Sequence, residues 1–124
     1  MKKISGKTYW FELPVSNLES AKTFYSKVLG WTFQKLLQSE VLNYWMIGVD
    51  GELIGGLKKA KKNERSVEAP VIYFCVDHLG AKIKLAQTLG AQLEGGRIDL
   101  GLGRGCFQRL RDPDQNLIAF WANE

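Results

Sequence analysis

Apolar and polar positions along the chain follow two regimes, alternation and helical recurrence, and the pair occurs twice in the same order. Trp10-Phe11-Glu12-Leu13-Pro14-Val15 reads as a strand. Ser16-Asn17-Leu18-Glu19 follows as a capping box, in which Ser16 caps the helix and Glu19 reaches back. Leu18, Ala21, Phe24, Tyr25, Val28 and Leu29 then recur at helical spacing, which predicts an apolar stripe facing the core, and Gly30 ends the helix. A short strand is expected over Thr32–Leu37. Asp50-Gly51 between Tyr44–Val49 and Glu52–Leu57 is a strong hairpin signal.

The second half repeats this order. Val71–Val76 is a strand, Asp77 a candidate N-cap, and Leu79, Ile83, Ala86 and Leu89 line a helix that Gly90 ends. A short strand is expected over Gln92–Glu94 or slightly beyond. Phe107–Arg111 and Leu117–Trp121 flank the turn Asp112-Pro113-Asp114-Gln115-Asn116. Val15 and Leu18 recur 61 positions later as Val76 and Leu79, and Ile54 recurs 64 positions later as Ile118. An internal repeat changes the whole fold reading. The chain is expected to be one α+β domain, 1–124, built of two βαβββ modules over 1–57 and 70–124, with 58–69 as a linker.

Composition narrows the class. A length of 124 residues with 45% hydrophobic and 24% charged positions suits one soluble domain with a real core. The net charge of +4 is local. Lys58, Lys59, Lys61, Lys62 and Arg65 stand against Glu64, and the rest of the chain has twelve basic and twelve acidic residues. No aromatics are interleaved there, so the segment reads as a solvated linker and no nucleic-acid partner is expected. The single His excludes an HExxH zinc site, and two Cys exclude a disulfide framework. There is no apolar run of about 18 residues and no apolar stretch behind the first lysines. A cytoplasmic protein with reduced thiols and no membrane contact is the expectation.

Phe11-Glu12-Leu13-Pro14-Val15, Ala21-Lys22-Thr23-Phe24-Tyr25 and Val28-Leu29-Gly30-Trp31 resemble the first module of the vicinal-oxygen-chelate superfamily. That superfamily includes glyoxalase I, bleomycin-resistance proteins and extradiol dioxygenases. Asp112-Pro113-Asp114-Gln115-Asn116 resembles its DPDGN turn, with Gln115 in place of Gly. The resemblance implies a cup-shaped mixed sheet with helices outside. It also implies metal-ligand positions on the first and last strand of each module. Carried over, these are Trp10, Gly55, Val71 and Ala119. None offers an imidazole, thiolate or carboxylate, so no metal and no cofactor are expected. His78, at the start of the second helix, reads as a capping or surface residue.

If Trp10 faces the cup, strand alternation sends Glu12 there, and the repeat adds Val71, Tyr73 and Cys75. The first hairpin should bring Tyr44 and Met46 onto one face with Leu53, Gly55 and Leu57. The last should bring Gln108 and Leu110 onto one face with Leu117, Ala119 and Trp121. Candidate ligand contacts are therefore Trp10, Glu12, Tyr44, Met46, Tyr73, Cys75, Gln108 and Trp121. Flat aromatic faces suit a small planar or apolar molecule. Glu12 sits between apolar neighbours. It serves either as a general acid or base, with Tyr73 beside it as a second catalytic candidate, or as a structural or ligand-anchoring group. Arg109 becomes its natural cation if that strand is shifted by one residue. Cys75 and Cys106 read as buried thiols. The glycine-rich stretch Gly95–Gly105 matches no phosphate loop and reads as a flexible edge or loop between strands, from which Arg97 and Arg104 could reach an anion.

Three functions follow as expectations. The first is a metal-free small-molecule-binding protein acting as a homodimer. The second is a metal-independent isomerase or lyase using Glu12. The third is a non-catalytic association protein whose cup is filled by its own aromatics.

Overall fold

The computed structural model describes residues 4–36, 43–60 and 69–124. The basic positions Lys61, Lys62 and Arg65, and Leu37 of the expected short strand, lie outside them. The chain divides into two compact units, Trp10–Pro70, and Met1–Tyr9 with Val71–Glu124.

The first of these holds most of β1 (Thr8–Val15), then α1 (Leu18–Leu29), β2 (Thr32–Lys35), β3 (Tyr44–Val49) and β4 (Glu52–Lys59). Its strands lie in the order β2-β3-β4-β1, with β1 and β4 parallel and the other pairs antiparallel. The second unit holds β5 (Val71–Cys75), α2 (Leu79–Thr88), β6 (Gln92–Asp99), β7 (Cys106–Arg111) and β8 (Leu117–Ala122). Its order, β5-β8-β7-β6, is the same connectivity, again with the first and last strands parallel. Residues 6 and 7 belong to this second unit. Gly6 N donates to Cys75 O at 2.7 Å, and Cys75 N donates to Lys7 O at 2.9 Å. The α+β architecture and the internal repeat read from periodicity are both present.

Local chemistry differs from expectation at both helix starts. Asn17, not Ser16, caps α1, because its Oδ1 accepts from Ser20 N at 2.9 Å. That geometry satisfies one of the first-turn amides, and Ser16 stands one residue too early to reach them. Glu19 pairs instead with Lys22 at 2.9 Å. At α2 the cap position is His78, which makes no side-chain cap bond, and Asp77 bonds the His78 amide. The Leu79 amide is satisfied by Glu124 Oε1 at 2.6 Å, from the far end of the chain.

The helical stripes are also less covered than their periodicity predicts. Leu79 of α2 is buried with Val76, Cys106 and Ala122, and Ile83 and Phe120 pack on this cluster. No residue of α1 is buried, and Phe24, Val28 and Leu29 are each more than half exposed. The contact runs through Tyr25, stacked on Trp31 at 4.8 Å, and Trp31 leans on Phe11 at 5.8 Å. Periodicity marks the apolar side of a helix but not how much of it the sheet reaches.

Two boundaries move as well. β4 continues through Lys58 and Lys59, which are strand rather than linker residues, and Lys59 Nζ donates to Ser16 O. Of the stretch expected as an edge or a loop, Gly95–Asp99 belong to β6, the outermost strand in its unit's order. Their register against β7 shifts between Glu94 and Ile98, at a bulge where Gly95 takes a φ of 75°.

Candidate functional site

Strand register decides which side chains can act together. In the first unit Asp50-Gly51 closes the hairpin as expected, pairing Val49 with Glu52 and Gly48 with Leu53. A bulge then pairs Ile47 with Gly55 and Met46 with Gly56. One inserted residue turns every later side chain to the opposite face. Gly55 and Leu57 therefore share a face with Trp45 and Ile47, not with Tyr44 and Met46 as expected. Gly55 lies beside Phe11, where a Cβ would meet the Phe11 carbonyl at 2.7 Å and its ring at 2.9 Å. The glycine on the Trp10 and Glu12 face is Gly56, paired with Glu12 in β1 and with Met46 in β3.

Four of the expected residues come together on that face: Trp10, Glu12, Tyr44 and Met46. The Tyr44 ring lies across Gly56, and Trp10 Nε1 donates to its hydroxyl at 2.9 Å. Both Tyr44 and Glu12 are buried. Glu12 is thus a carboxylate set among aromatic and thioether groups. Gly56, rather than the expected Gly55, is the glycine of this face. Its signal, a Gly-Gly pair in an apolar strand, points to a close approach without saying to which face.

In the second unit β8 pairs Ala119 with Tyr73 and with Arg109, and Trp121 with Cys75 and Phe107. Tyr73, Cys75, Ala119 and Trp121 share one face, as alternation requires. Gln108 and Leu110 do not join them. The turn after β7 sets a register one residue away from that expected, which places Phe107 and Arg109 there instead. Gln108 is buried on the opposite face, with Nε2 donating to Gly95 O and Arg109 O, both at 2.9 Å. Arg109 Nη2 donates to the Tyr73 hydroxyl at 3.1 Å, and its guanidinium stands 5.6 Å from the Phe107 ring. Phe107 meets Tyr73 edge-on at 5.2 Å. Trp121 is buried, stacked on Tyr9 at 4.0 Å, with Nε1 donating to Arg104 O at 2.9 Å. Burial pushes the Tyr9 hydroxyl above its usual range, and the nearby Cys75 adds to this.

The remaining candidates make local contacts or are buried. Arg104 turns back on its own loop, with Nη2 donating to Leu100 O at 2.9 Å. Arg97 lies 3.8 Å from Asp99. Cys75 and Cys106 are buried free thiols. Val71, Gly55 and Ala119 bring no donor atoms in side chains. Among the described residues no three His, Cys, Asp or Glu side chains are grouped as a metal ion requires. No described helix is long and apolar enough to cross a membrane.

Comparison with known proteins agrees with this geometry. Residues 7–49 match the family described as bleomycin resistance protein-like N-terminal. No curated protein matches the chain. An extradiol ring-cleaving dioxygenase from B. fuscum superposes with a TM-score of 0.70 at 23% identity, covering 98% of this chain and 33% of the other. Methylmalonyl-CoA epimerase from Mycobacterium tuberculosis gives 0.67 at 16% identity, covering 100% and 92%. The Mn(II)-bound glyoxalase from Novosphingobium aromaticivorans gives 0.67 at 18%, covering 96% and 39%. The match over residues 7–49 and the shared fold accord with the resemblance to the vicinal-oxygen-chelate superfamily carried by the sequence.

Proposed function

We propose that this chain binds a small planar or apolar molecule on its aromatic strand faces, without a divalent metal or cofactor, and works as a cytoplasmic homodimer. The observation that carries this reading is Glu12, a buried carboxylate beside Trp10, Tyr44 and Met46. A carboxyl group set among flat apolar side chains is the combination by which small-molecule sites hold and orient a ligand. The metal-free part of the reading rests on donor chemistry. The carried-over positions Trp10, Gly55, Val71 and Ala119 lack ligating side chains, and the Tyr44 ring occupies the surface of Gly56.

A titration of the purified protein with planar heteroaromatics and aromatic carbonyl compounds, read by tryptophan fluorescence, tests it. Saturable quenching that is lost in Trp10→Ala supports the proposal. One tightly bound Mn, Fe, Ni or Zn per chain overturns the metal-free part, and a monomer in sedimentation overturns the dimer. Turnover of any bound compound that disappears in Glu12→Gln would shift the assignment to an isomerase or lyase using that carboxylate.

A second reading has its own observation. Tyr44, Tyr73 and Trp121 are 7%, 5% and 1% exposed, which suits rings that fill their faces. Absence of quenching by every compound, with self-association intact, would favour a non-catalytic association protein.

A further inference from the structure

Helix α1 and strand β2 enclose an open groove of about 390 Å³ that lies apart from the Trp10 and Glu12 face. It is lined by Lys22, Thr23, Ser26, Lys27 and Phe33. The helix contributes two pairs at four-residue spacing, Lys22 with Ser26 and Thr23 with Lys27, which stand one above the other on the same side. The lining therefore combines two lysines and two hydroxyl-bearing residues from the helix with Phe33 from the strand. The volume lies within the range of small-molecule sites, which is about 300–1,000 Å³.

The charge is held in place. Lys22 Nζ sits 3.6 Å from the centre of the Trp45 ring and 2.9 Å from Glu19, and its side chain is 17% exposed while that of Glu19 is 86% exposed. Trp45 steadies the ammonium from beneath by a cation–π contact. Glu19 is a solvated partner that an incoming anion can replace at small cost, since exposed ion pairs contribute little. We propose that this groove binds a small organic anion with a flat aromatic body. The anionic group replaces Glu19 at Lys22 and meets Lys27 and the two hydroxyls, and the ring lies against Phe33.

The test uses the whole protein, labelled for amide NMR and titrated with phenyl phosphate, benzoate and, as a neutral control, benzyl alcohol. Saturable shifts at Thr23, Ser26 and Phe33 are expected with the anions and not with the alcohol. Lys27→Met and Lys22→Met keep the aliphatic stems and should each weaken binding by about tenfold, as expected for loss of a charge-assisted hydrogen bond. Glu19→Gln should tighten it severalfold by removing the competing carboxylate. Equal binding of the alcohol, shifts confined to other residues, or an affinity unmoved by all three variants would overturn the proposal. These readouts do not depend on Trp10 or Glu12, so the groove stands or falls separately from the function proposed above.

Discussion

The Tyr44 ring rests on the bare backbone of Gly56, so closely that a methyl group there would overlap the phenol. The strand bulge between Ile47 and Gly48 makes this possible by turning Gly56 rather than Gly55 toward Tyr44. The two residues form one packing unit, with Trp10 holding the hydroxyl at 2.9 Å. Gly56→Ala should therefore destabilise the protein by about 1–3 kcal/mol, the range for overpacking a filled site. In a Tyr44→Ala background the same substitution should add little. Urea denaturation of the four proteins gives the coupling, and equal effects in both backgrounds would separate the two residues.

Gln115 occupies the place of glycine in the Asp112–Asn116 turn, with a φ of 71°. A side chain in the left-handed region is disfavoured by about 1 kcal/mol. The bonds that close the turn use backbone atoms of Gln115, donating to Asp112 O and accepting from Arg111 Nη1, so glycine preserves them. Gln115→Gly should raise the melting temperature by a few degrees. A lower melting temperature would mean that the entropy glycine adds to the unfolded chain is the larger effect.

Asp112 stabilises the same turn through its charge. Its carboxyl is held below the usual aspartate value of 3.8, first by the Asn116 side chain, then by the Asn116 and Asp114 amides. A lowered value in the folded state contributes stability above 3.8, and that contribution disappears as pH falls through the folded value. Melting temperatures between pH 5 and about pH 2 should therefore fall less steeply in Asp112→Asn than in the parent. Parallel curves would remove Asp112 from the acid transition.

Tyr9 acts at the other end of the scale. Burial against Trp121, and secondarily the nearby Cys75, raise its hydroxyl above 10.0. The neutral phenol is the form the fold accommodates, so its contribution is complete below 10.0 and is lost as pH rises through the folded value. Spectrophotometric titration should show a late-ionising tyrosine, absent in Tyr9→Phe. Alkaline unfolding should be less steep in that variant, and an unchanged titration curve would contradict the assignment.

Much of this protein is legible in one dimension. Among the described residues the repeated order of strands and helices follows from side-chain period, Gly30 ends α1 as its position demands, and the Asp50-Gly51 and Asp112–Asn116 turns announce themselves by residue type. Alternation also places Tyr73, Cys75 and Trp121 on one face, because they sit on adjacent, regularly paired strands. These are local properties, set by backbone geometry within a few residues.

Register is not local. Whether Gly55 or Gly56 faces Tyr44, and whether Gln108 or Arg109 faces Tyr73, depends on one extra residue at a bulge and on the length of a turn. Strand side chains alternate with a period of two, so a shift of one residue exchanges the whole set without changing any strand's composition. The cap that Glu124 provides for α2 and the Lys22–Trp45 contact join residues far apart in the chain. Tertiary packing alone brings such pairs together, and it set Gly56 against Tyr44, Arg109 against Tyr73, and the groove between α1 and β2.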